Sequence, residues 1–330
     1  MSPRPRVPDA YALAQAAEAL RRGDLVVFPT ETVYGVGAHA FDEAAVRKVF
    51  AAKGRPPDNP LIVHAVDLRM ARSLATRWPS AADALARAFW PGPLTLVVPR
   101  VPALPAVAAA GLDSVAVRVP AHPVARALLA EAGVPVAAPS ANRSGRPSPT
   151  RVDHAVEDLG DAVAVYLDGG PCEVGVESTV VSVLSDPPVV LRPGGVSKVA
   201  IERVVGQVAQ GSGEAVARSP GMRHRHYAPR AEVVIVEPDA RATQSLVEAL
   251  ERQGRRVAVL ASREHAPAGK NVVVPGGYAD VDRWARSLFA SLRDLDRLGY
   301  DVIVVQRMSE EGVGAAVLDR LRRAAERSAD

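Results

Sequence analysis

Pro29-Thr30-Glu31-Thr32-Val33-Tyr34-Gly35 and Lys53-Gly54-Arg55-Pro56-Pro57-Asp58-Asn59-Pro60-Leu61-Ile62-Val63-His64 flank one helical stretch, and each lies against a short apolar run. The first follows Leu25-Val26-Val27-Phe28, which Pro29 stops, and the second runs into Leu61-Ile62-Val63. Strand, polar loop, helix, polar loop, strand is the opening of an α/β fold. Both polar segments are expected as irregular loops, and loops this polar at strand ends are where ligands bind.

In the second segment Lys53 and Arg55 put two cations on a turn that Gly54 and the prolines hold open, so their heads are expected to stay off any helix surface. Fixed proline φ angles lower the entropy cost of holding such a loop against a ligand. The chain has only four lysines, Lys48, Lys53, Lys198 and Lys270, against an excess of arginine. A compact ammonium at position 53 suits a point contact to phosphate. The alternative, a solvated charged turn, stays open from these residues alone.

The 330 residues suit two domains. With 48% hydrophobic and only 4% aromatic residues, the core must be built from Val, Leu and Ala. A net charge of +3 permits contact with nucleotides or RNA without demanding it. Cys172 is the sole cysteine, which excludes an intramolecular disulfide and a cysteine-built zinc site and fits a cytoplasmic protein. No signal-peptide pattern opens the sequence, and no apolar run approaches the ~20 residues of a membrane span.

Residues 11–22 carry Ala and Leu at helical spacing up to Gly23, and Asp42 caps a helix that turns Val46, Val49 and Phe50 inward. Helices are expected over 68–76 and 81–89, then strands over 94–98 and 115–119. In the latter Arg118 interrupts an apolar run. Either it meets a buried or ligand-borne anion, because an unpaired buried guanidinium is costly, or it sits on an open sheet face. Pro139-Ser140-Ala141-Asn142 and Pro147-Ser148-Pro149-Thr150 place hydroxyls and an amide in one turn-rich segment, where capping a turn competes with ligand binding. Strands follow over 164–167, 180–183 and 189–191; Ser178 and Thr179 precede the second of these on alternate faces, and Arg192-Pro193-Gly194-Gly195 ends the third.

Residues 198–210 read as helix. Then come a linker over 211–230 and, from 231, alternating strands and helices that predict a small parallel α/β domain. The linker's Ser219-Pro220-Gly221-Met222-Arg223-His224-Arg225-His226-Tyr227-Ala228-Pro229 is too rich in binding side chains to be a mere spacer. His224 and His226 alone make a poor metal site. The usual nucleotide-phosphate loops are absent: no Walker loop exists, and Gly35-Val36-Gly37 lacks the third glycine of a dinucleotide fingerprint.

Together Pro29 to Gly35, Lys53 to His64, Val115 to Pro120, Pro139 to Asn142, Pro147 to Thr150, Gly175 to Thr179 and Arg192 to Gly194 resemble the YrdC/Sua5 family of threonylcarbamoyl-AMP synthases. Ser219 to Pro229, with Asp319-Arg320-Leu321-Arg322-Arg323-Ala324-Ala325 near the end, resembles its longer Sua5 type. The resemblance implies a YrdC-like twisted mixed sheet around a deep basic cavity over 1–210, the linker over 211–230 as a lid, and a smaller Rossmann-like parallel α/β domain over 231–330. It implies that L-threonine, bicarbonate and ATP give threonylcarbamoyl-AMP and pyrophosphate for the N6-threonylcarbamoyladenosine of tRNA.

By the same resemblance Thr32, His64, Arg118, Ala138 and Ser178 hold L-threonine, with Arg118 on its carboxylate. Lys53, Arg55, Asn59, Ser114, Ser140, Asn142, Ser148, Arg192 and the linker's Tyr227 hold ATP, and Lys53 and Arg55 serve catalysis. Mg²⁺ enters on the ATP phosphates with no metal site of the protein's own. A tRNA threonylcarbamoyl transferase complex takes the product, with at most a weak contact to RNA. Threonine's carbamate is itself a nucleophile, so no serine or cysteine triad is needed, and none is visible. A pure RNA-binding module would want more aromatic residues for base stacking. A carbamoyl transferase of the hydrogenase-maturation type would want cysteine-rich zinc motifs.

Overall fold

The computed structural model describes residues 4–213, 219, 226–269 and 271–326. These divide into two compact units: residues 1–144, 148–173 and 177–223, and residues 145–147, 174–176 and 224–330. The second unit therefore includes two short segments that precede its main span, residues 145–147 and 174–176. Much of the linker motif, including His224, lies outside the described residues.

In the first unit the chain runs α1 (Ala10–Arg21), β1 (Val26–Phe28), β2 (Gly35–His39), α2 (Glu43–Lys53), β3 (Ile62–His64), α3 (Leu68–Ser73), α4 (Ser80–Phe89), β4 (Leu94–Pro99) and β5 (Ser114–Arg118). It continues through α5 (Pro123–Ala132), β6 (Val136–Ala137), α6 (Val152–Leu159), β7 (Val165–Tyr166), β8 (Thr179–Ser182), β9 (Val189–Arg192), α7 (Lys198–Val205) and β10 (Ala209–Gln210). The strands form one mixed sheet in the order β10-β9-β8-β4-β5-β3-β6-β2-β1-β7. Pairs β3/β5 and β4/β8 are parallel, whereas β4/β5, β8/β9 and β1/β2 are antiparallel.

Aliphatic side chains cover both faces of the sheet. On one, Val27, Val36 and Val63 pack with Val46, Val49 and Leu85; on the other, Val26, Phe28 and Val136 pack with Leu20, Leu128 and Leu129. Burying side chains of this kind contributes roughly 1.5–3 kcal/mol each, which is how a chain poor in aromatics builds a sufficient core.

Two expectations change here. The segment after Thr32 is not all loop: Gly35–His39 pairs antiparallel with β1, because Gly37 lets the backbone pass where a Cβ would stand 2.5 Å from Val136 Cγ1 and 2.9 Å from Phe28 Cε1. Residues 198–210 are not one helix. The helix stops at Val205, Gly206 takes φ 77°, and Ala209–Gln210 joins the sheet edge beside β9. Helices α5 and α6 also went unread, since both lie between turn-rich segments that dominate the pattern.

The second unit carries β11 (Glu232–Val236), α8 (Ala240–Arg252), β12 (Val257–Leu260), β13 (Val272–Val273), α9 (Val281–Arg297), β14 (Val302–Gln306) and α10 (Gly314–Ala325). Its strands are all parallel in the order β11-β14-β12-β13, as the alternating pattern predicts. Within this unit Tyr227 stacks on Phe289 (5.5 Å between ring centroids) with the Arg320 guanidinium 5.2 Å from its ring centroid. Arg293 donates from Nε and Nη2 to the Pro147 carbonyl.

Close backbone approach also decides the turn after β9. A Cβ on Gly194 would lie 2.2 Å from Thr179 N, 2.3 Å from Ser178 C and 2.4 Å from Glu177 O, all backbone atoms that cannot rotate away. Gly194→Ala is expected to cost about 1–3 kcal/mol, in the range of core overpacking. A urea-unfolding midpoint equal to that of the unaltered chain would refute this close-approach argument.

Candidate active site

The ends of adjacent strands bring most of the expected residues to one rim of the sheet. His64 ends β3 directly beside Arg118, which ends β5, in register. Ser178 precedes β8 and Arg192 ends β9, with Val180 paired to Arg192. Ala138, just beyond β6, donates its N–H to the Ile62 carbonyl at 2.9 Å. Ser140 bridges to Gly35 at the start of β2.

Arg118 is buried, and its anion is Glu31. Nη2 lies 2.7 Å from Glu31 Oε1, Nη1 donates to Thr32 Oγ1 at 2.9 Å, and Nε donates to the Gly92 carbonyl at 3.1 Å. The option of an arginine on an open sheet face is thereby excluded. A guanidinium has five N–H groups, so these contacts fix its plane and still leave N–H groups to present to a ligand. The other Glu31 oxygen accepts from Ala121 N at 3.1 Å.

The loop that aims Glu31 and Thr32 is wound around Thr30. Thr30 Oγ1 accepts from the N–H groups of Thr32 and Val33, both at 3.2 Å, and reaches the Val33 carbonyl at 2.6 Å. This is the local turn chemistry that threonine offers a backbone.

His64 is fully buried, with its ring edge-on to Phe28 at 6.0 Å. Burial first, and the Arg118 charge second, lower its pKa to about 3, so the ring is neutral at physiological pH. Its Nδ1 has no hydrogen-bond partner in the structure. A neutral, buried ring nitrogen is costly to leave unpaired and suits a hydrogen bond to a bound polar group.

The cations of the second motif depart from the expectation of a held-open turn. Lys53 is the last residue of α2, with Gly54 ending the helix at φ 58°. Its Nζ is buried and donates to the carbonyls of Ser140 and Asn142. Arg55 folds back on its own loop: Nε donates to the Asn59 carbonyl at 3.0 Å, and Nη2 to Asn59 Oδ1 and the Pro60 carbonyl, both at 2.7 Å. The prolines close this loop around Arg55 and do not hold it open.

Arg192 donates from Nη2 to the Ser178 carbonyl at 2.9 Å and to Ser178 Oγ at 3.3 Å. Ser178 Oγ also meets Thr95 Oγ1 at 2.7 Å, whereas Thr179 Oγ1 turns away to the Val196 carbonyl. Ser148 Oγ donates to Glu177 Oε1. Asn142 Nδ2 donates to the Arg143 carbonyl at 2.8 Å, and Ser114 is buried at the start of β5 opposite Pro99. Tyr227 is the exception: it belongs to the second unit, packed as described above.

Reasoning from residue types passed over Thr30, Glu31, Thr95 and Glu177. A signal for Glu31 was present, since an arginine inside an apolar strand demands an anion and Glu31 is the acid of the first motif. Cys172 is buried, and burial together with the Glu31 charge pushes its thiol pKa up, so it is held protonated and is no nucleophile.

The fold and rim define a class: a mixed-sheet α/β protein whose buried cations and hydroxyls converge at strand ends, followed by a parallel α/β unit. The chain belongs to the Sua5/YciO/YrdC family, described as telomere recombination, whose pattern matches residues 18–194. Residues 196–326 match the C-terminal domain of threonylcarbamoyl-AMP synthase. It is 46% identical to the threonylcarbamoyl-AMP synthase of Pyrococcus abyssi, over 96% of this chain and 94% of that one, and 45% identical to that of Bacillus subtilis, over 95% and 92%. The crystal structure of P. abyssi Sua5 complexed with L-threonine superposes with a TM-score of 0.91 at 44% identity, covering 96% of this chain and 95% of that one.

The depressed His64 pKa has a consequence for stability. With a folded value of about 3 below the ordinary 6.5, the unfolded chain takes the proton first as pH falls. Stability is therefore withdrawn progressively between pH 6.5 and 3, with a slope of up to about 1.4 kcal/mol per pH unit. His64→Gln should flatten this part of the acid limb. Urea midpoints at pH 7.5 and 4.5 that fall in parallel for both proteins would refute it.

Proposed function

We propose that this chain is a threonylcarbamoyl-AMP synthase, a nucleotidyltransferase that condenses L-threonine, bicarbonate and ATP to threonylcarbamoyl-AMP and pyrophosphate. The observation that carries this reading is the buried Arg118, held by Glu31 and Thr32 beside neutral His64, in a chain 44% identical to a solved protein complexed with L-threonine.

Arg118 takes the threonine carboxylate on its remaining N–H groups, with Thr32, the Ala138 backbone and Ser178 around it. The His64 ring supplies a lone pair, not a charge, to the amine or hydroxyl of threonine. The deprotonated amine adds to CO₂ from bicarbonate to form a carbamate. A carbamate oxygen then attacks the α-phosphorus of ATP, the bond to the β-phosphate bridging oxygen breaks, and pyrophosphate leaves with that electron pair.

No covalent enzyme intermediate is required, so the protein's part is positioning and charge stabilisation. Lys53, Arg55 and Arg192 supply positive charge to the triphosphate. Asn59, Ser114, Ser140, Asn142 and Ser148 supply short polar contacts. Mg²⁺ would enter with ATP, bound to its phosphates, and would supply charge screening for the pyrophosphate. Among the described residues no cluster of His, Cys, Asp and Glu is grouped to hold a metal.

No described helix is long and apolar enough to cross a membrane. The reaction would take place in the cytoplasm, and the product, an activated mixed anhydride, would pass to a tRNA threonylcarbamoyl transferase complex.

Incubation with ATP, Mg²⁺, L-threonine and labelled bicarbonate should release pyrophosphate and a labelled adenylate only when all are present. Pyrophosphate released equally without threonine would overturn the reading. Lys53→Ala should lower turnover by about 10²–10³-fold, as loss of one preorganised donor does. A variant that turns over normally would remove Lys53 from the reaction.

A further inference from the structure

We propose that Glu31 is a positioning residue for threonine recognition, setting the orientation in which Arg118 presents itself to the substrate carboxylate. The proposal rests on the synthase reading of the rim and adds to it a part for Glu31 in substrate recognition.

The two oxygens of Glu31 meet different elements, one as an ion-pair contact and the other as a hydrogen-bond acceptor. Oε1 lies 2.7 Å from Arg118 Nη2 at the end of β5, and Oε2 takes the Ala121 N–H at 3.1 Å on the way into α5. The side chains of Glu31 and Arg118 are 7% and 4% exposed. Water therefore does little to soften or replace the contact, and a buried pair is sensitive to loss of either partner. Glu31 itself is steered by the Thr30-centred turn, and its neighbour Thr32 takes the other terminal nitrogen of the same guanidinium.

The chemistry requires a carboxylate at this position. One oxygen holds a counter-charge against Arg118 while the other accepts the Ala121 N–H, and neutral glutamine can supply only the acceptor. In Glu31→Gln the amide NH₂ would confront either the Arg118 guanidinium or the Ala121 N–H, and Arg118 would lose its anion in either case. In Glu31→Asp both oxygens survive on a stem one methylene shorter, so both contacts cannot be reached at the present lengths. Misplacement of about 1 Å in a positioning group typically costs about 10²-fold.

The test measures KM for L-threonine, KM for ATP, turnover and melting temperature for the full chain, Glu31→Gln and Glu31→Asp. The expected result is a KM for threonine raised about tenfold or more in Glu31→Gln and less in Glu31→Asp, with KM for ATP within about twofold. In an Arg118→Lys background Glu31→Gln should add at most about twofold, because the two residues act as one unit. An unchanged KM for threonine overturns the proposal. So does a lowered one, which would mean that Glu31 masks Arg118, and so does a parallel rise in both KM values with a lowered melting temperature, which is a merely structural effect. If Glu31→Gln does not fold, Glu31→Asp decides by the same criteria. Failure of the unaltered chain to use threonine would instead strike the synthase reading.

Discussion

A guanidinium buried at the end of a central strand constrains much of the first unit. Arg118 closes β5, which lies between β4 and β3 in the middle of the sheet order. An uncompensated charge there would cost several kcal/mol. Its three contacts come from distant parts of the chain: Glu31 and Thr32 from the loop between β1 and β2, and Gly92 from the turn before β4. Satisfying one side chain thus ties together two loops and a strand end. The same requirement explains why a threonine-centred turn, not a free loop, follows Phe28.

Backbone carbonyls help to orient the other rim cations. Lys53, Arg55 and Arg192 donate to the backbone carbonyls of Ser140, Asn142, Asn59, Pro60 and Ser178. These carbonyls fix the direction in which each side chain points. Arg118 has the Glu31 carboxylate beside it as well as a carbonyl.

The architecture was readable where local signals agree. Alternation of strand and helix predicts the parallel sheet of the second unit, and its four strands are all parallel. Apolar runs likewise locate β3, β4 and β5. Reading fails where an element is short or rich in glycine. The run Gly35-Val36-Gly37 in β2 has too little side chain to signal a strand, and its pairing with β1 is decided by the close approach of Phe28 and Val136. The two-residue β10 carries no pattern at all and exists only because β9 offers it an edge.

At the site, the sequence by itself determined the inventory: which segments carry Lys53, Arg55, Arg118, Ser178 and Arg192, that each sits at the end of an apolar run, and that one cysteine excludes metal chemistry of the zinc-motif kind. Only the tertiary structure decided who partners whom. Glu31 and Arg118 are far apart in the chain, and no local periodicity links them. Their pairing follows from the one sheet that β1, β2 and β5 share, and from the demand that a buried charge meet its counter-charge. The Lys53 ammonium was expected on an open turn and is instead anchored against Ser140 and Asn142, because carbonyls left bare at a strand end need donors as much as a buried cation needs acceptors.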